Sequence, residues 1–255
     1  GSYYETGVTV ENDARISTTD GGPITVTAYA GPPSYPDLHG VDVRDGGQIT
    51  GSGIVEVTGY ASLGYGVRVS GTDSGIMSNA GGVSVTGFSS HGGSYSYHWE
   101  GIGIHDGGRI TSNNNAPITI NTDSLSIVGP SPSRIDAGNG IITLHPFTPG
   151  TQIDLGGANV LNASPLTLGL PYEILDRVFA GTLNIGDANS GTITISNRID
   201  RVNSTDVNLT SGRSIHFSGD SMHLVSGSIH TNGGALNINA GNDAGEGVRP
   251  ASSGV

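Results

Sequence analysis

The chain has 255 residues, a net charge of −12, no cysteine and 43 glycines. The lack of cysteine excludes disulfides and thiolate metal sites, and the ten basic residues are scattered, which argues against a nucleic-acid partner. No apolar run approaches membrane-spanning length, so we expect no membrane insertion.

Four similar segments follow one another in the first half of the chain. They open at Gly7 (GVTVENDARIS), Gly40 (GVDVRDGGQIT), Gly66 (GVRVSGTDSGIMS) and Gly101 (GIGIHDGGRIT). A second apolar alternation follows each opening: PITVTAY, IVEVTGY, VSVTGF and PITINTD. Polar residues alternate with Val and Ile in these runs, so each run predicts a short strand with one buried face.

Equivalent positions of the four segments carry the same class of residue. The clearest column contains Val10, Val43, Val69 and Ile104. One turn of short strands cannot bury its apolar face alone, whereas stacked turns bury each aliphatic side chain against its counterpart. The columns therefore predict a β-solenoid with parallel strands. An all-β sandwich also has many short strands, but it does not need columns aligned at the repeat spacing.

The sequence of the second half predicts further strands and one short helical segment between coils. The strand-like runs are IITL (141–144), TQIDLGG (151–157), TLNIG (182–186), TITIS (192–196), VNLTS (207–211), SIHFS (214–218), MHLVS (222–226) and ALNINA (235–240). Near 170–179 the pattern turns helix-like, and Pro171 suits the first turn of a short helix. We expect Ile174, Leu175 and Val178 to pack on the flank of the solenoid.

A resemblance to a known class of proteins rests on two passages. These are 138-GNGIITLHPFTPGTQIDLGG-157 and 166-LTLGLPYEILDRVFAGTLNIGDANSGTITIS-196. Over about residues 134–240 the chain resembles large bacterial repeat exoproteins of the filamentous-haemagglutinin and autotransporter-passenger adhesin type. The resemblance implies a right-handed parallel β-helix, export through the outer membrane and a cell-surface or secreted filament. It brings no catalytic residues with it.

The domain organisation predicted is a single β-solenoid over residues 1–255, as a fragment of a longer chain. We expect coils of irregular length with long corner loops over 1–133, adhesin-like coils over 134–240, and a loop or tail over 241–255. About ten coils of about 25 residues fit the length of the chain. Solenoid ends expose strand edges, so we expect continuation with neighbouring coils or end-to-end self-association.

Two sets of polar residues suggest metal sites, and neither set has the required geometry. His216, His223 and His230 are seven residues apart, a spacing that places them on different faces of a coil, so we expect no metal site and no cofactor. Acidic and amide residues recur at the first corner of the repeats, namely Asn12, Asp45 and Asp106. They are explained as turn residues, and weak calcium binding stays open.

A polysaccharide lyase or hydrolase is the enzymatic alternative, because parallel β-helices include such enzymes. Arg44, Arg68 and Arg109 could lie on one side of successive coils with Asp42 nearby, but no pair of carboxylates repeats beside them. We therefore interpret the three arginines as surface charges, assign no catalytic residues and expect the chain not to be an enzyme.

Aromatic residues gather on one edge of the first four coils. Tyr29, Tyr60 and Phe88 form an aligned column, and the adjoining loops add Tyr95, Tyr97 and Trp99, together with Tyr35, Tyr65 and His98. One interpretation is a corner stack that packs the loops. The other is a ligand-binding strip for a surface glycan or a protein receptor.

These observations predict an extracellular location at the bacterial cell surface. The expected function is that of a structural or adhesive shaft segment of an exported surface protein or filament. A carbohydrate- or protein-binding module that uses the aromatic loop edge is the alternative.

Overall fold

The computed structural model describes residues 5–31, 38–90, 100–130, 132–219, 226–241 and 248–249. Strands dominate these residues, and the named strands pair in parallel within five sheets. The protein is an all-β parallel β-helix, as the aligned columns predict. No helix in this part of the chain is long and apolar enough to cross a membrane.

Three sheets run along the first half, and their strands are numbered in chain order. Sheet A contains β1 (Val8–Val10), β4 (Val41–Arg44), β7 (Val67–Ser70), β10 (Ile102–His105) and β13 (Leu125–Val128). Sheet B contains β2 (Arg15–Ser17), β5 (Gln48–Gly51), β8 (Gly75–Ser78), β11 (Arg109–Ser112), β14 (Arg134–Asp136) and β18 (Val178–Phe179).

Sheet C runs along both halves. It contains β3 (Ile24–Tyr29), β6 (Val55–Ala61), β9 (Val83–Ser89), β12 (Ile118–Thr122), β15 (Ile141–His145), β19 (Thr182–Ile185), β22 (Asp206–Ser211) and β25 (Leu236–Ala240). Sheet D contains β16 (Gln152–Leu155), β17 (Thr167–Leu170), β20 (Ile193–Ile195), β23 (Ile215–Phe217) and β26 (Val248–Arg249), and sheet E contains β21 (Arg198–Asp200) and β24 (Ser228–His230). The part of the chain that the structure describes contains one short helix, α1, at Tyr172–Leu175.

The predicted aliphatic columns are confirmed by the strand register. Val10 pairs with Val43, Val43 with Val69, and Val69 with Ile104, and all four side chains are buried. Ile16, Ile49, Ile76, Ile110 and Ile135 form the corresponding column of sheet B. The interior is therefore a continuous stack of Val, Ile and Leu, with each layer resting on the layer of the next coil.

The corner residues predicted from the repeats adopt the conformation that a tight corner needs. Asn12, Asp45 and Asp106 have φ values of 55°, 50° and 52°, in the left-handed region. Asn and Asp tolerate this region better than other non-glycine residues, because their short side chains can hydrogen-bond locally. Their recurrence in the sequence is explained by this backbone requirement.

The coils vary in length more than the predicted repeat of about 25 residues. Within the described residues sheet C has eight strands, against about ten coils predicted for the chain, and hydrogen-bonded partners on adjacent strands lie 24 to 41 residues apart. The longest coil contains the additional strand β17 and the helix α1. A fifth coil begins with β13 and β14, which the four-segment alignment missed. The predicted strand 222–226 lies outside the described residues except for Ser226.

The helical excursion is shorter than predicted. The helix α1 ends at Leu175, and Val178 lies in strand β18, where it pairs with Ile135. Ile174, Leu175 and Val178 are nonetheless buried, as expected. Strand β26 lies within the stretch 241–255 and pairs with β23.

Two backbones cross closely where sheet C strands end and sheet A strands begin. A Cβ on Gly59 would lie 2.7 Å from the carbonyl carbon of Gly66, with the carbonyl oxygen closer still. Gly87 faces the backbone of Gly101 in the same way one coil later. We call these four residues the glycine crossing. The chain leaves the solenoid after Gly59 or Gly87 and returns at Gly66 or Gly101. Because both ends of each loop are fixed here, loops of different lengths fit without disturbing the core.

Candidate functional site

The predicted aromatic column forms a ladder on the outside of the glycine crossing. Tyr29 pairs in register with Tyr60, and Tyr60 with Phe88, at the ends of β3, β6 and β9. The rings of Tyr29 and Tyr60 are stacked, with centroids 4.8 Å apart and planes 9° apart. Tyr60 and Phe88 are tilted, with centroids 6.5 Å apart. The ring spacing follows the spacing of the strands.

A fourth ring, which the sequence reasoning missed, completes the ladder. Phe147 lies with its ring centroid 5.2 Å from that of Phe88 and 6.1 Å from that of Tyr60. The buried carboxylate of Asp123 holds the loop that carries Phe147, because it accepts hydrogen bonds from the backbone N–H and hydroxyl of Thr148 at 2.8 and 2.5 Å. We call Tyr29, Tyr60, Phe88 and Phe147 the aromatic corner.

The aromatic corner is accessible at one end. Tyr29 is 68% exposed, whereas Tyr60 and Phe88 are only partly exposed. The Tyr29 ring, supported from behind by the stacked ring of Tyr60, is therefore presented to solvent. Such a surface suits contact with the apolar face of a sugar ring or with a partner side chain.

Of the other predicted aromatic residues, Tyr65 alone lies within the described part of the chain. Tyr95, Tyr97 and Trp99 lie outside the described residues, as do Tyr35 and His98. Tyr65 is described and is only 8% exposed. It lies on the outer face of sheet A, where a Cβ on Gly103 would be 2.5 Å from the Tyr65 ring. The Tyr65 ring fills the space above Gly103, so it is buried and presents little surface to a ligand.

Two histidines flank Tyr65. Its ring centroid is 5.4 Å from that of His39 and 5.1 Å from that of His105. Nδ1 of His39 accepts a hydrogen bond from the backbone N–H of Tyr65 at 3.1 Å. His39 is 2% exposed, and burial lowers its pKa from 6.5 to about 4, with the Arg68 charge as the next cause. Burial likewise lowers the pKa of His105.

We expect the buried His39 to make stability depend on pH. The groups that act on it are Arg68, Asp42, Arg44 and His105. Because the folded state disfavours protonation, the unfolded state binds more protons between pH 6.5 and 4, and the free energy of unfolding falls as the pH falls through this window. For His39 alone the loss from pH 8 to pH 5 is about 2 kcal/mol.

This pH effect is measured by urea denaturation at a series of pH values. The variant His39→Asn removes the titrating group at position 39, so its stability should decline less than that of the unmodified protein below pH 6.5. Parallel pH profiles for the two proteins would show that His39 is not the responsible group.

The arginines considered for sugar binding do not form one row. Arg44 and Arg68 lie in sheet A, and Arg109 lies in sheet B. Arg68 donates two hydrogen bonds to the buried carboxylate of Asp42, at 2.8 and 2.7 Å. Arg44 pairs with Glu11 at 2.5 Å. The guanidinium groups of Arg44 and Arg68 are thus committed to carboxylates of the chain itself.

Of the three histidines considered as metal ligands, the two that are described lie in different sheets. His216 lies on β23 of sheet D, His230 lies on β24 of sheet E, and His223 is outside the described residues. Nε2 of His216 lies 2.9 Å from the hydroxyl of Ser214. Within the described ranges, no group of three His, Asp or Glu side chains is arranged to hold a metal ion.

Comparisons of the chain with protein-family models, with curated proteins and with solved structures found no match.

Proposed function

We propose that this chain is a structural shaft segment of an exported bacterial surface protein or filament of the haemagglutinin and autotransporter-passenger adhesin type. One observation carries the proposal: the eight strands of sheet C stack in register over a continuous aliphatic interior. At about 4.8 Å per strand, the first and last strands of sheet C are roughly 34 Å apart. In such a fold length is set by the number of coils, which is what a spacer requires.

The polar outer face of sheet C also supports a structural role. Nδ2 of Asn208 donates to Oδ1 of Asn184 at 2.8 Å, and Nδ2 of Asn237 donates to Oδ1 of Asn208 at 2.7 Å. This asparagine ladder links three successive coils from the outside, in the direction of the solenoid axis. It resists the separation of neighbouring coils, since each coil contacts only its neighbours.

The location proposed is tested by labelling intact cells of the source organism with antibodies raised against the folded chain. We expect labelling without permeabilisation and loss of the label after mild protease treatment of whole cells. Labelling that appears only after lysis would contradict an exported shaft.

The shaft proposal also predicts that a whole coil can be removed. Deletion of residues 207–235 brings Leu236 to the register position of Val207, so that Asn237 can meet Asn184. We expect this variant to stay folded and to unfold cooperatively in urea, with a moderately lower midpoint. Deletion of residues 207–219 is the control, because it shifts the register and should lower the midpoint much more. Equal damage from both deletions would contradict the modular shaft.

A second function, binding of a surface glycan or protein receptor, is supported by the exposed ring of Tyr29. On a glycan array, we expect Tyr29→Ala and Trp99→Ala to reduce any binding that the unmodified chain shows. Tyr172→Ala is the matched control, since Tyr172 is 51% exposed but lies on α1. Equal effects of all three substitutions, or none, would count against the aromatic corner as the binding surface.

A further inference from the structure

A groove of about 370 Å³ lies on the outer face of sheet B. It crosses β8, β11 and β14, and its lining includes Met77, Arg109, Thr111, Arg134 and Asp136. Ligand pockets of proteins occupy a similar range of volumes. The groove is separate from the aromatic corner and from the ion pairs that Asp42 forms with Arg44 and Arg68.

Arg109 is the unusual member of this groove. Its Nε is buried without a hydrogen-bond partner, as is that of Arg134, but Arg109 differs because none of the described carboxylates lies within salt-bridge distance of its guanidinium. On β8 its register partner is Gly75, which has no side chain to contact it. Arg177 and Arg201 also lack an ion pair, but their guanidinium groups donate to backbone carbonyls, whereas Arg109 has no such acceptor among the described residues. This combination indicates a cationic position that is open to an external anion.

Arg134, the register partner of Arg109 on β14, is held in place by its own neighbours. Its Nε lies 3.1 Å from Oδ2 of Asp136, and its guanidinium carbon lies 6.0 Å from the centre of the Phe179 ring. The groove therefore contains two guanidinium groups against one carboxylate. Its local charge is positive, and the excess charge belongs to Arg109.

Uncharged polar groups surround the two arginines. Asn113 and Asn114 are exposed, and each side chain donates one hydrogen bond to Asn79, which leaves the amide oxygens able to accept others. Thr111 contributes a hydroxyl, and Met77 contributes apolar surface. Amides and hydroxyls beside one cation match a ligand that carries several hydroxyl groups and one negative charge.

We propose that this groove, the arginine groove, binds an acidic saccharide, with the carboxylate of a uronic-acid unit on Arg109 and its hydroxyls on the asparagine amides. A carboxylate can accept two parallel hydrogen bonds from a guanidinium, a geometry that lysine lacks. The binding is independent of the shaft proposal, because it concerns one outer face and requires neither export nor a particular number of coils.

The test is titration of the full chain with a tetramer of galacturonic acid at low salt, followed by calorimetry or by NMR chemical shifts. We expect saturable binding that weakens as salt is added. Arg109→Gln should weaken it about tenfold or more, since it removes a charge-assisted hydrogen-bonding pair. Arg15→Gln is the control, because Arg15 is exposed in the same outward column at the far end of sheet B.

The outcomes distinguish the proposal from simpler explanations. A neutral galactose tetramer that binds as tightly, or an Arg109→Gln variant with unchanged affinity and an unchanged urea midpoint, would overturn it. Inorganic sulfate that competes as well as the acidic tetramer would replace the saccharide with a simple anion. Asn114→Ala that weakens the tetramer but not sulfate would support the saccharide assignment.

Discussion

The substitution Arg201→Met is expected to destabilise the protein by about 3 kcal/mol, because it leaves two buried carbonyl groups without their donor. The Arg201 guanidinium donates through Nη1 to the carbonyl of Leu175 and through Nη2 to the carbonyl of Val178. Arg201 is 7% exposed, and both residues that it serves are buried. Methionine retains much of the apolar stem but donates no hydrogen bond.

The matched control for this prediction is Arg198→Met. Arg198 is 64% exposed and pairs with Asp200 at 2.8 Å, an exposed ion pair of the kind that contributes little to stability. The urea midpoint should fall clearly for Arg201→Met and hardly at all for Arg198→Met. Equal midpoints would show that the guanidinium of Arg201 does not hold the helical excursion against the solenoid.

Some parts of this fold could be predicted because they depend on residue class at regular spacing. Period-two alternation determines which side chains point inward, and a repeated residue class determines which of them stack. The column Val10, Val43, Val69 and Ile104 follows from these two rules alone. The ladder of Tyr29, Tyr60 and Phe88 follows from the same register. The fifth coil was missed because Leu125 begins it without the glycine that opens the earlier segments.

The remaining parts depend on contacts between side chains far apart in the chain. Phe147 joins the aromatic corner only because Asp123 holds its loop across 25 residues. Tyr65 is buried because Gly103, on the neighbouring sheet A strand, leaves space for its ring. Arg44 and Arg68 are neutralised by acids on neighbouring coils, whereas Arg109 is not. Alternation cannot distinguish these arginines, since each simply points outward, and only the register of the sheets shows what lies beside it.

The glycine crossing carries the second large expected effect. We expect Gly59→Ala to lower the free energy of unfolding by about 3 kcal/mol or more, because overpacking at a rigid contact forces the backbone to move. The new methyl group would meet the carbonyl group of Gly66 and come within 3.0 Å of Cγ2 of Val67, which is fully buried. Neither neighbour can move without displacing the start of β7 and the column that it supports.

Gly22→Ala is the control for this prediction, because a Cβ there would have its nearest contact at 3.5 Å, an ordinary separation. Alanine reduces the conformational freedom of the unfolded chain, so Gly22→Ala should leave stability unchanged or raise it by roughly 0.5 kcal/mol. Urea denaturation of both variants measures the difference. A Gly59→Ala protein as stable as Gly22→Ala would show that sheets C and A do not approach closely at this corner. The fit of loops of different lengths at this corner, without damage to the interior, would then need another explanation.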